Sequence, residues 1–135
     1  MEGYLDAGAG SCALRMPACA KFLVDTLLHD DGNQYTLGSF VIMPNHVHLL
    51  VVPLGNVELS DIISAWERIS ARHINRIMGR SGRLWSRDSY DHIVRNEKEL
   101  IRIDRYIQNN PVKAKLRKDE FVLGGTIDNW TFLQK

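Results

Sequence analysis

The chain has 135 residues, of which 44% are hydrophobic and 24% charged. That is ordinary globular composition and excludes a disordered segment or a long coiled coil. No apolar run approaches the roughly 18 residues of a membrane span, and the start MEGYLDAGAG lacks the basic-then-apolar order of a secretion signal. A soluble, cytoplasmic protein with no membrane partner is expected, folded as a single domain over residues 1–135. The net charge is +1, but residues 1–60 hold 2 Lys+Arg against 6 Asp+Glu while residues 61–135 hold 15 against 10. Phosphate backbones are bound by local basic patches, so this asymmetry says more than the mean charge. Cys12 and Cys19 match no zinc spacing and read as reduced, small apolar residues.

Along the chain, the Gly-rich lead-in reads as irregular. Pro17 suits the first turn of a helix over Ala18 to His29. Asp31-Gly32-Asn33 is a turn, and Gln34 to Met43 and His46 to Val52 read as two strands of an antiparallel hairpin joined by Pro44-Asn45. Glu58 to Met78 has a broad apolar stripe and predicts the longest helix, closed by Gly79. Ser89 to Val94 reads as a strand. Asn96, with Glu99 three residues on, starts a helix expected to end near Asn109, because Pro111 disfavours helical geometry before it. The tail from Lys118 is not assigned. The order helix, strand, strand, helix, strand, helix predicts an α+β fold with an antiparallel sheet covered by helices on one face.

Three features could carry chemistry. His46-Val47-His48 lies in an extended run, where side chains two apart share a face, so both imidazoles can reach one divalent cation. Tyr106 and Asn110 lie at i and i+4, so they share a helix face. Asn110 offers an amide oxygen that, beside two imidazoles, suits Mg²⁺ or Mn²⁺. Arg68, Arg72, Arg76 and Arg80 recur every four residues, and Arg83 and Arg87 extend the basic region, a candidate phosphate-binding surface. Taken singly, each feature fits a structural role as well: strand histidines, a packing tyrosine, a C-terminal cap, a solvated helix face. Trp85 suits a core anchor or a base-stacking surface, and His92 a site residue or an ordinary strand histidine.

Taken together, Met43-Pro44-Asn45-His46-Val47-His48-Leu49-Leu50 and Tyr106-Ile107-Gln108-Asn109-Asn110-Pro111-Val112-Lys113-Ala114 resemble the two signature motifs of the single-tyrosine HUH transposases. Leu84-Trp85-Ser86-Arg87 and Tyr90-Asp91-His92 resemble the REP-associated tyrosine transposases among them, and the similarity runs from about Leu5 to Leu116. The resemblance implies a ferredoxin-like sheet with the histidine strand at its centre. It implies His46 and His48 as metal ligands, Asn110 as the third, and Tyr106 as a nucleophile that forms a 5′-phosphotyrosine and releases a 3′-OH. It implies single-stranded DNA hairpins as partner, and a homodimer. Against that pattern, the strand that usually begins such chains is expected to be missing here.

Two other readings stay open at this stage. A non-catalytic module could bind DNA hairpins on the same fold. A metallohydrolase could pair His46 and His48 with a carboxylate such as Asp91, but it leaves the string from Tyr106 to Ala114 unexplained.

Overall fold

The computed structural model describes residues 2–87, 90–128 and 130. In chain order the elements are β1 (Gly3–Gly8), a 3-10 segment (Gly10–Arg15), α1 (Pro17–His29), β2 (Tyr35–Met43), β3 (His46–Pro53), α2 (Leu59–Met78), β4 (Tyr90–Ile93), α3 (Glu97–Lys113), a 3-10 turn (Lys118–Glu120) and β5 (Val122–Gly124). The strands form one five-stranded sheet in the order β4-β1-β3-β2-β5. Every neighbouring pair is antiparallel. No helix of the described residues is long and apolar enough to cross a membrane.

The lead-in read as irregular is a strand, so the expected lack of a first strand does not hold. Gly3, Asp6 and Gly8 are poor strand formers, but β1 lies inside the sheet with β3 on one side and β4 on the other. Ladder bonds on both edges, and the inward alternation of Leu5 and Ala7, outweigh weak local propensity.

Period-two alternation splits the core in two. Leu5, Ala7, Phe40, Ile42, Val47 and Leu49 face α1 and α2, meeting Leu23, Leu27, Ile62, Trp66 and Ile74. Trp66 Nε1 donates to Tyr35 Oη at 3.0 Å, and Tyr35 in turn donates to the Leu27 carbonyl, so one chain of hydrogen bonds ties α2, β2 and α1. Tyr4, Val41, Met43 and Leu50 face the opposite way and pack with Leu100, Ile103 and Ile107 of α3. The expected α+β class with its antiparallel, ferredoxin-like sheet is what is seen. The expectation that the helices lie on one face is corrected: α1 and α2 cover one face and α3 the other. The physical reason is that the sheet carries buried apolar side chains on both sides, Phe40, Ile42, Val47 and Leu49 on one and Val41, Met43 and Leu50 on the other.

The helix ends follow local chemistry. Gly79, at φ 65°, closes α2 in the left-handed region that costs a glycine nothing. Asn96 caps α3 by accepting from the Glu99 backbone N–H at 2.8 Å, while Glu99 Oε1 accepts from the Arg95 backbone N–H at 3.0 Å. The expected stop near Asn109 is not observed. Pro111 sits inside the last turn of α3, fully buried. It forfeits one intrahelical bond, and its burial plus Ala114 N donating to Asn110 O and Leu116 N to Pro111 O, both at 2.9 Å, offset that loss. Asn110 is therefore on continuous helix with Tyr106. In the tail, Trp130 lies over Gly38, where a β-carbon would come within 2.6 Å of its Cζ2.

Candidate active site on the sheet face beneath α3

β3 presents its even-numbered side chains to the α3 side of the sheet. His46 and His48 therefore share that face, with ring centroids 5.9 Å apart and planes 9° from parallel, while Val47 enters the core on the other side. His48 is buried and His46 is half-exposed. Burial pushes the His48 imidazole below its ordinary pKa; the Asp6 carboxylate opposes that shift and His46 adds to it. A neutral imidazole is the form that binds metal ions, so no proton has to leave first.

The register of β1 against β3 brings two residues to the same face that sequence reasoning did not select. Asp6 is paired with His48 and Gly8 with His46. Asp6 Oδ1 lies 3.7 Å from His48 Nδ1 and 4.0 Å from His46 Nε2, beyond hydrogen-bonding reach of either. Tyr4 Oη is 2.9 Å from His48 Nδ1. The carboxylate near Nδ1 favours the tautomer protonated there, in which His48 donates to Tyr4 and keeps the Nε2 lone pair free. His46 Nδ1 is 3.3 Å from Asn45 Oδ1, which likewise leaves its Nε2 on the Asp6 side.

Tyr106 comes from the facing side of α3. Its ring stands perpendicular to the His48 ring, centroids 5.6 Å apart, and it is 46% exposed. Tyrosine and histidine pair thus meet on one face of one chain. Asn110 follows one turn later, half-buried and without a side-chain hydrogen bond among the described residues. The donors suit a divalent cation by chemistry: two imidazoles, an amide oxygen and a carboxylate. Among the described residues, no three His, Cys, Asp or Glu side chains are already drawn together as a metal-holding group.

The arginines divide. Arg68, Arg72 and Arg76 flank a groove with Phe22 and His73 on the α1/α2 side, behind the sheet from Tyr106. Arg80, half-buried, and Arg87, exposed, lie in the segment after α2. Arg83 alone of the six borders the cleft that holds Asp6 and His46. Trp85 is a core anchor, buried and donating to Ser70 Oγ at 3.0 Å. His92 stands edge-on to Tyr4, centroids 5.5 Å apart, with Nε2 3.5 Å from Glu99 Oε1.

Comparison with known proteins matches residues 27–110 to the family model described as "Transposase IS200 like". A curated protein of Haemophilus influenzae, itself described only as uncharacterised, is 28% identical over 100 residues, 58% of this chain. The chain spans 56% of that relative's length. Two solved structures share the fold. One is a REP-associated tyrosine transposase bound to a REP hairpin, with a TM-score of 0.66 at 19% identity, covering 97% of this chain and 74% of that one. The other is a protein of Deinococcus radiodurans R1 described as a transposase, with a TM-score of 0.56 at 24% identity, covering 81% and 89%. With the family model spanning more than half of its residues, this chain belongs to the IS200-like transposase family.

Proposed function

We propose that the chain is a DNA strand transferase of the REP-associated type, which cleaves and rejoins single-stranded DNA at hairpin-forming sites. The observation that carries the reading is the perpendicular approach of Tyr106 to His48 on one sheet face. In the proposed step the Tyr106 oxygen attacks a backbone phosphorus. The Oη–P bond forms, the P–O3′ bond breaks, the phenol proton leaves, and the departing 3′ oxygen takes up a proton. The 5′-phosphotyrosine conserves the phosphodiester bond energy, so a 3′-OH reverses the step without nucleotide hydrolysis.

His46, His48 and Asn110 are the proposed holders of Mg²⁺ or Mn²⁺, and Asp6 stands beside them as a further donor. Such a cation, when bound, neutralises charge on the transferring phosphoryl group. Tyr4 holds the His48 ring by its Nδ1 side. Exposure leaves the Tyr106 hydroxyl open to a phosphate, while burial of His48 keeps one wall of the site fixed. The family resemblance also implies a homodimer, although the proposed donors and the nucleophile lie on one chain, so the chemistry does not require a second copy.

The test mixes the full chain with a labelled hairpin oligonucleotide bearing a single-stranded flank, in Mn²⁺ or Mg²⁺. A covalent protein–DNA adduct that disappears in Tyr106→Phe is expected. Hairpin binding without any adduct, by folded protein, would instead assign a non-catalytic DNA-binding module.

A further inference from the structure

We propose that single-stranded DNA reaches Tyr106 along α3, on a track of Arg95, Lys98, Arg102 and Arg105, and not along the arginine row of α2. This rests on the reading of Tyr106 as nucleophile and adds the route of its substrate. Arg95 lies just before the Asn96 cap; within α3, at 100° per residue, Lys98, Arg102 and Arg105 fall within roughly a 60° arc that adjoins Tyr106. The opposite arc of the helix carries Leu100, Ile103, Ile107 and Pro111 into the core. From Lys98 to Tyr106 the helix rises about 12 Å, which spans roughly three phosphates at the axial spacing of one duplex strand.

The charge on this arc is not cancelled. Among the described acidic residues Glu99 alone reaches into it, with Oε2 3.4 Å from Arg95 and 3.5 Å from Arg102. One carboxylate thus serves two guanidiniums, which stay 81% and 75% exposed. Lys98 and Arg105 are exposed and make no ion pair among the described residues. Glu99 is itself held by the Arg95 backbone N–H, so it steadies the two arginines without masking them. The basic side chains border a surface cleft of about 560 Å³, on the α3 side of the sheet, where Tyr106 meets His48. The α2 row has no such continuity. Its helix packs on Leu5, Ala7, Val47 and Leu49, the residues that alternate with Asp6, His46 and His48, so the sheet separates Arg68, Arg72 and Arg76 from Tyr106.

Salt dependence counts the phosphates. Binding of the full chain to a labelled single-stranded oligonucleotide is measured by fluorescence anisotropy in EDTA over a range of salt. Each lost phosphate contact on a single strand lowers the slope of log K against log salt by about 0.7. Lys98→Gln/Arg102→Gln/Arg105→Gln is expected to lower it by about 2, and to weaken binding at least ~10-fold at 0.1 M salt. Arg68→Gln/Arg72→Gln/Arg76→Gln is expected to leave the slope as in wild type. All six positions are on helix surfaces, and thermal melts are run first to check that the variants fold. A wild-type slope in the α3 variant, or the loss appearing in the α2 variant instead, overturns the track. The adduct assay is read separately: an adduct with an unchanged α3 slope sinks the track alone, and a lowered slope with no adduct sinks only the nucleophile.

Discussion

Replacing Tyr4 with Phe isolates what β1 does for the histidine pair. Tyr4 and His48 are both buried, and the hydroxyl stands 2.9 Å from Nδ1. Phe keeps the ring, its edge contact with His92 and its place beside Val41 and Leu50, so the change removes a polar contact and hardly any volume. A buried imidazole N–H without an acceptor costs about 1–3 kcal/mol. Outer partners of metal-binding histidines are worth about 10–100-fold in affinity. The lower end of both ranges is expected, because Asp6 Oδ1, 3.7 Å from the same nitrogen, can swing in as acceptor. Tyr4→Phe should therefore lose about 1 kcal/mol in urea unfolding with EDTA and bind Mn²⁺ about ten-fold more weakly by calorimetry. Tyr4→Phe/Asp6→Ala removes both acceptors and should lose more than the sum of the single changes. If the double variant keeps the wild-type urea midpoint and binds Mn²⁺ within two-fold of wild type, β1 does not set the state of His48.

Three other outcomes follow from the same geometry. Asp6→Asn keeps shape but removes the carboxylate that faces both imidazoles; it should weaken Mn²⁺ binding by ~10-fold or more while leaving thermal stability in EDTA nearly unchanged, and equal Mn²⁺ affinity would remove Asp6 from the donor set. Because burial lowers the His48 pKa from 6.5, the unfolded chain takes a proton before the folded one. In EDTA the stability due to this group is thus fully present above about pH 6.5 and declines as pH falls below it, by up to ~1.4 kcal/mol per unit; a urea series from pH 7.5 to 5.5 should show a slope that His48→Gln flattens, and identical slopes would contradict it. Gly38→Ala drives a methyl to within 2.6 Å of the Trp130 ring and should cost about 1–3 kcal/mol, with a shifted tryptophan emission; an unchanged melting temperature would mean the tail does not rest on β2.

Local patterns made much of this fold readable. The hairpin of β2 and β3, the start of α1, the apolar stripe and glycine stop of α2, and the Asn96 cap all lie in short stretches where neighbouring residues set the geometry. The same holds for two parts of the site: the shared face of His46 and His48 follows from strand period, and that of Tyr106 and Asn110 from helix period. What stayed hidden depends on partners distant in the chain. β1 is a strand because β3 and β4 flank it, so Tyr4 and Asp6 could not be placed beside His48 without the register. The helix runs past Pro111 because that proline finds a buried seat. The α2 arginines form the row that their spacing predicts, but spacing cannot say which face of the sheet a helix covers. The short β5, likewise, forms only against the edge of β2.

The most direct test of the account digests the covalent adduct with trypsin after reaction with a hairpin oligonucleotide. Cleavage after Arg105 and Lys113 releases the peptide from Tyr106 to Lys113. Mass spectrometry is predicted to find that peptide carrying nucleotides through a 5′-phosphate on Tyr106. Nucleotides attached to Tyr4, Tyr35 or Tyr90, or attached through a 3′-phosphate, would contradict the assignment of Tyr106 as the nucleophile.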